Sequence, residues 1–413
     1  ESTNGNAFGP TLRVDYDAEF TGPIYLKLSN VDTTVGGADV AYNISIQDLN
    51  EAVSSDPGSL ILLSGRLKNN DPLQDNIHNA ANLVYETFNS VGYDDDRIQY
   101  LATDSGLAGY DEAATAENLQ VAITEWAKTR LGSRNLLTIY LIDHGDQNIF
   151  YIDEPNEERL TPELLDDWLS QLEEAVPDVR INVFIEACNS GSFIQGQNGI
   201  SKEGRVIVTS TNATNVAYAS EDSAYFSEHF FTALRQGMNI FNAFFEAQTA
   251  IAQIYDKQIP LLDGDGNGIP NERSDDVFAS TRFFYLSNAL VEPNVSPPHI
   301  TLPNQIQSTA TESYTFEVAV TDNNAVDEVW ALVYPPSYVA PTSSRELVPE
   351  TVEKIRLTRA SGDIFTAEYS QFLEAGTYQI VIHAEDDSGL RARPTTFTLD
   401  ISAGNTFLPF VTR

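Results

Sequence analysis

The chain changes its hydrophobic period twice along its length. Up to about residue 55, short runs such as Thr11-Leu12-Arg13-Val14-Asp15-Tyr16 and Ile24-Tyr25-Leu26-Lys27-Leu28 alternate apolar and polar positions. Half-buried strands alternate in this way, so residues 1–55 are expected to form a β-rich extension. From Ser59 onward predominantly apolar runs at 60–63, 98–101, 136–142, 181–185 and 206–208 alternate with helical periods. That order predicts an α/β unit over 56–290, with a mostly parallel sheet flanked by helices.

The helix boundaries carry their own signals. A helix over 76–91 should turn Leu83, Val84, Phe88 and Val91 inward and stop at Gly92, because glycine tolerates the left-handed conformation that ends helices. Thr115 and Thr161 stand at N-cap positions, the second followed by Pro162 at the first helical turn. After Thr161 the spacing predicts a buried stripe of Leu164, Leu165, Trp168, Leu169 and Leu172. Two more helices are expected over 223–235 and 239–255.

Beyond Pro293, Pro297 and Pro298 the helical period disappears. About seven short alternating runs in about a hundred residues predict an all-β immunoglobulin-like sandwich over 295–403. A short apolar tail over 404–413 follows.

Composition narrows what this architecture can do. With 413 residues, two or three domains are expected. Lys and Arg total 23 against 60 Asp and Glu, a formal charge of -37. Such a surface repels phosphate, so neither nucleic acid nor an anionic membrane is an expected partner. No run of 18 apolar residues occurs, so no membrane span is expected. The sequence opens at Glu1 without Met, which suggests a processed or trimmed product of a longer precursor, and a secreted or cell-surface bacterial protein, monomeric, is expected.

Two apolar runs end in residues that can do chemistry. The run 136–142 leads into Asp143-His144-Gly145, and 181–185 leads into Glu186-Ala187-Cys188-Asn189-Ser190-Gly191, which holds the only cysteine. Strand ends are where open α/β sheets bind ligands. A thiol needs a neighbouring base to be a good nucleophile at neutral pH, and histidine is the usual one. Taken singly, a lone Cys is most often a small buried hydrophobe. The pairing at two buried strand ends is what makes Cys188 and His144 catalytic candidates.

A second motif is Asp263-Gly264-Asp265-Gly266-Asn267-Gly268-Ile269. Side-chain oxygens of Asp263, Asp265 and Asn267, with the Ile269 carbonyl, follow the first seven positions of a calcium loop. The twelfth position is Ser274, so Glu272, Asp275 or Asp276 must complete the shell. Calcium would staple the loop and take no part in bond chemistry.

The segments Ile142-Asp143-His144-Gly145 and Ile185-Glu186-Ala187-Cys188-Asn189-Ser190-Gly191 resemble the two signature segments of legumain-type cysteine peptidases, relatives of caspases and gingipains. The resemblance covers about residues 56–290 and implies a caspase-like sheet and a peptide or protein substrate. It also implies a thioester mechanism, with Cys188 as nucleophile, His144 as acid and base, and the N–H groups of Gly145 and Cys188 holding the oxyanion. No third catalytic member is evident, and the family works largely as a dyad. The resemblance further places Glu186, Ser210, Asp222 and Glu228 at the substrate pocket, and Asp143 at a position linked to peptide ligation.

The pocket arginine of the family has no counterpart in Leu73-Gln74-Asp75-Asn76-Ile77-His78, with Arg66 or Lys68 as the available substitutes. Preference before the scissile bond is therefore left between Asn or Asp and Arg or Lys. Two other readings remain: a non-catalytic adhesion protein on a peptidase fold, and a peptide ligase or transpeptidase.

Overall fold

The computed structural model describes residues 57–284 except 133–134, 195–197 and 256, and residues 297–402 except 304–308, 311–312, 340–346 and 348–351. The expected N-terminal extension and C-terminal tail lie outside these residues.

The α/β unit is built on strands β1 (Ser59–Ser64), β2 (Ile98–Ala102), β3 (Tyr110–Ala113), β4 (Leu136–Ile142), β8 (Arg180–Glu186), β9 (Arg205–Thr209) and β10 (Leu261–Asp263). Between β4 and β8 a small antiparallel sheet is formed by β5 (Gly145–Asp146), β6 (Ile149–Asp153) and β7 (Glu158–Leu160). The main sheet has the order β10-β9-β8-β4-β1-β2-β3, and all its pairings are parallel except that of β10 with β9. The apolar runs thus become the central strands, and every residue of β1 and β4 is buried.

Successive side chains of a strand point to opposite faces, and here both faces are covered. Leu60, Leu62, Tyr140, Phe184 and Val208 pack with helices α1 (Gln74–Ser90), α4 (Tyr225–Arg235) and α5 (Ile240–Ala252). Ile61, Leu63, Ile139, Leu141 and Val183 pack against α2 (Ala116–Val121) and α3 (Pro162–Ala175). Thr115 and Thr161 cap α2 and α3 by accepting the N–H groups of Asn118 and Leu164. Leu164 itself departs from the expected buried stripe and is 40% exposed. It sits in the first turn, where the solvent side of the helix begins. A short helix α6 (Arg273–Ala279) follows β10.

The C-terminal unit comprises β11 (His299–Thr301), β12 (Thr309–Ala310), β13 (Tyr314–Thr321), β14 (Val326–Tyr334), β15 (Lys354–Ser361), β16 (Ile364–Tyr369), β17 (Gly376–Asp386) and β18 (Thr395–Ile401). Their order is β11-β13-β16-β15-β14-β17-β18-β12, and β15 joins the two halves into one barrel-like layer pair. All but the β12–β18 pairing are antiparallel. Alternate residues such as Phe316, Val318, Val320, Ile380 and Ile382 fill its core.

Candidate active site

Strand register brings the two chemical residues together. In the β4–β8 pair Ile142 stands opposite Glu186. His144 and Cys188 each follow two residues beyond that aligned pair, so they leave the sheet at the same edge from neighbouring strands, and paired strands run about 4.8 Å apart. The approach is close. A Cβ on Gly145 would lie 2.5 Å from the carbonyl oxygen of Cys188, so only glycine fits after the histidine. On the other side of the cysteine, Asn189 takes the left-handed conformation at φ 57 that turns the chain. Gly191 follows, where a Cβ would meet the Asn212–Ala213 backbone at 2.7 Å.

Cys188 is 1% exposed and His144 is wholly buried. The Cys188 Sγ accepts the main-chain N–H of Ala217 at 3.4 Å. His144 is held from both sides. Its Nε2 lies 3.0 Å from Asp71 Oδ2, a close but bent contact, and its Nδ1 accepts the main-chain N–H of Leu347 at 2.7 Å. An Nδ1 that accepts places the ring proton on Nε2, facing the carboxylate.

Asp71 is the partner that sequence reasoning missed. It lies in the loop between β1 and α1, and its Oδ1 accepts the N–H of Leu73 at 3.0 Å. Burial pushes its carboxyl up, but the bonds to His144 and Leu73 outweigh this and hold it below the usual carboxylate range. The signal available in the sequence was an acid in the polar loop at the end of the first buried strand.

The other expected site residues divide into two groups. Glu186 and Ser210 lie beside the cysteine segment. Glu186 Oε2 accepts both the N–H of Ser227 at 3.0 Å and its hydroxyl at 2.8 Å, while Oε1 has no hydrogen-bond partner among the described residues. Burial pushes the Glu186 carboxyl up to about 7 against the pull of the Ser227 hydrogen bonds. Ser210 Oγ accepts the N–H of Ala187 at 3.2 Å, and Gln258 bridges from the Ser210 carbonyl to the Tyr218 N–H.

Asp222 and Glu228 instead face Arg391 of the C-terminal unit, at 2.7 and 2.5 Å. Glu228 also accepts the Ser220 hydroxyl. Arg66, considered as a pocket cation, is committed to Asp153 through both Nε and Nη2. Asp143 is fully buried, neither of its oxygens has a hydrogen-bond partner among the described residues, and burial raises its carboxyl well above the usual range.

At the second motif the ligand atoms of Asp263, Asp265 and Asp275 lie within 4.8 Å of one another. Asp263 and Asp275 are wholly buried, and burial, with Asp263 adding to it, pushes Asp275 up to about 6 against its backbone hydrogen bonds. A hard cation fits this oxygen set. Asn267 bonds Asp265 and Glu272 through its amide, and Glu272 caps α6 in a reciprocal pair with Asp275.

The sequence model of the peptidase C13 family matches residues 130–256, a span that contains both His144 and Cys188. No curated relative matches the chain. Among solved structures, pro-sf-caspase-1 is similar with 13% identity and a TM-score of 0.36, over 51% of this chain and 92% of that one. For drICE the values are 11% and 0.32, over 52% and 90%. A PKD domain of an M14-like peptidase from a Thermoplasmatales archaeon is similar over 26% of this chain and 97% of its own, with 17% identity and a TM-score of 0.16. The family match supports a cysteine peptidase, carried on a mostly parallel α/β sheet.

Proposed function

We propose that the chain is a cysteine endopeptidase acting through Cys188 and His144. The thiol gives its proton to His144 Nδ1 as the sulfur attacks the peptide carbonyl carbon, and the imidazolium passes that proton to the leaving amine as the C–N bond breaks. Water then hydrolyses the thioester. Gly145 and Cys188 supply the N–H groups for the oxyanion, and Asp71 orients the imidazole. The observation that carries the reading is the shared two-residue overhang of His144 and Cys188 past the Ile142–Glu186 pair.

Preference follows from charge. With Asp222 and Glu228 already matched by Arg391, and Glu186 raised to about 7 by burial, the acids beside the site favour a polar uncharged side chain such as Asn over a cation. Asp263, Asp265 and Asp275 hold calcium as a loop staple in the same reading.

The test is a library of fluorogenic peptides together with alkylation of the thiol by iodoacetamide. Cleavage that is lost in Cys188→Ala and His144→Ala, and strongest after Asn, is expected. The burial of Cys188 favours a second reading, a catalytically silent protein on this fold. An unreactive thiol with no cleavage of any peptide, even after the site has been opened, would select it.

A further inference from the structure

Leu347 belongs to the connection between β14 and β15, far from the catalytic strands in sequence and outside the α/β unit. It is nevertheless 1% exposed and packs in the same apolar cluster as Cys188, with Val216, Ala217 and Tyr218. Its main-chain N–H donates to His144 Nδ1 at 2.7 Å. In acyl transfer from a peptide, the imidazole nitrogen must stand against the nitrogen of the leaving amine, to which it passes a proton. Leu347 thus presents a peptide N–H to the nitrogen that a substrate's scissile amide needs, and its side chain is buried in the apolar cluster that also holds Cys188.

From this we propose that the C-terminal β unit closes its own chain's active site, with Leu347 seated as a substrate-like plug; the inference rests on the peptidase reading above. The plug arrives on a docked body. Arg391 bonds Asp222, Glu228 and Glu385, and Lys354 bonds Glu221 and Glu328. Arg393 pairs with Glu246, and Gln379 donates to the Gln253 carbonyl. These polar contacts border a small apolar patch, in which Trp330, Leu332, Tyr334 and Val381 pack with Ile254, and an interface of this mixed kind resembles those between domains that move relative to one another. Access to Cys188 therefore requires Leu347 to leave.

Two substitutions in the full chain address the two halves of the contact. Leu347→Pro removes the donated N–H, and Leu347→Gly removes the buried side chain while keeping the N–H. Circular dichroism and the thermal midpoint establish that each variant is folded. The rate of Cys188 alkylation by iodoacetamide at neutral pH is expected to rise about tenfold or more in both, since closure is then lost. Cleavage of the best fluorogenic peptide should rise alongside.

Alkylation rates within about twofold of the unaltered chain in both folded variants would overturn the proposal. A faster thiol without any peptide cleavage would leave the plug standing and remove the peptidase reading. Vigorous cleavage by the unaltered chain, unchanged in the variants, would do the reverse.

Discussion

His144 Nε2 and Asp71 Oδ2 stand 3.0 Å apart, both buried, on neighbouring loops at one edge of the sheet. The carboxylate faces Nε2, which leaves Nδ1 to accept the Leu347 N–H, the nitrogen at which the proposed mechanism places a substrate amide. Asp71→Asn keeps the shape and removes the charge that holds this tautomer. A fall in kcat/KM of about 10²- to 10⁴-fold is expected, most of it in kcat, with little change in thermal midpoint. Steady-state kinetics with the preferred peptide checks it.

Glu186 gives the chain a pH-dependent stability of definite sign. Burial lifts its carboxyl from 4.5 to about 7 in the fold. Between those values the folded chain keeps a proton that the unfolded chain has released, so this group's contribution to stability falls as pH rises through the window. Glu186→Gln should flatten that slope by an amount on the order of 3 kcal/mol at most. Urea midpoints of both chains at about pH 5 and about pH 7 measure it.

Arg205 is wholly buried and binds Glu173 twice, Asp166 once and the Ile200 carbonyl. It ties β9 to α3 under the cysteine strand. Arg205→Ala leaves the Glu173 carboxylate, 17% exposed, without this partner, so a loss of roughly 3–5 kcal/mol is expected in denaturant unfolding. The fraction of native Cys188 protection should fall with it.

Calcium is expected to raise the thermal midpoint in a saturable way, by mass action on the folded chain alone. Asp263→Asn together with Asp275→Asn should abolish the rise. The intrinsic alkylation rate of Cys188 should stay the same in that variant, since the loop is structural. Calorimetry with and without a chelator separates these outcomes.

Much of the α/β unit was legible because its signals are local. Apolar runs that end in Asp143-His144-Gly145 and Glu186-Ala187-Cys188 need no partner to be seen, and the threonine caps at 115 and 161 formed as their spacing required. What escaped depends on distant chain. The edge strands β3 and β10 are polar or very short, and only their neighbours make them strands. Asp71 has no periodicity to betray it. Leu347 sits 203 residues from the histidine it touches, and Arg391 163 from Glu228. The pocket acids were read without the guanidinium that answers them.

Trp330 lies stacked on His383 at 5.1 Å, with Lys354 at 4.5 Å and Arg391 at 5.6 Å from its ring centroid. The same two cations reach across to Glu221, Asp222 and Glu228. Grafting the α/β half onto an unrelated β module would strand those carboxylates and bare the indole at once. Neither half therefore presents a finished surface without the other, and each alone is expected to be more prone to aggregate.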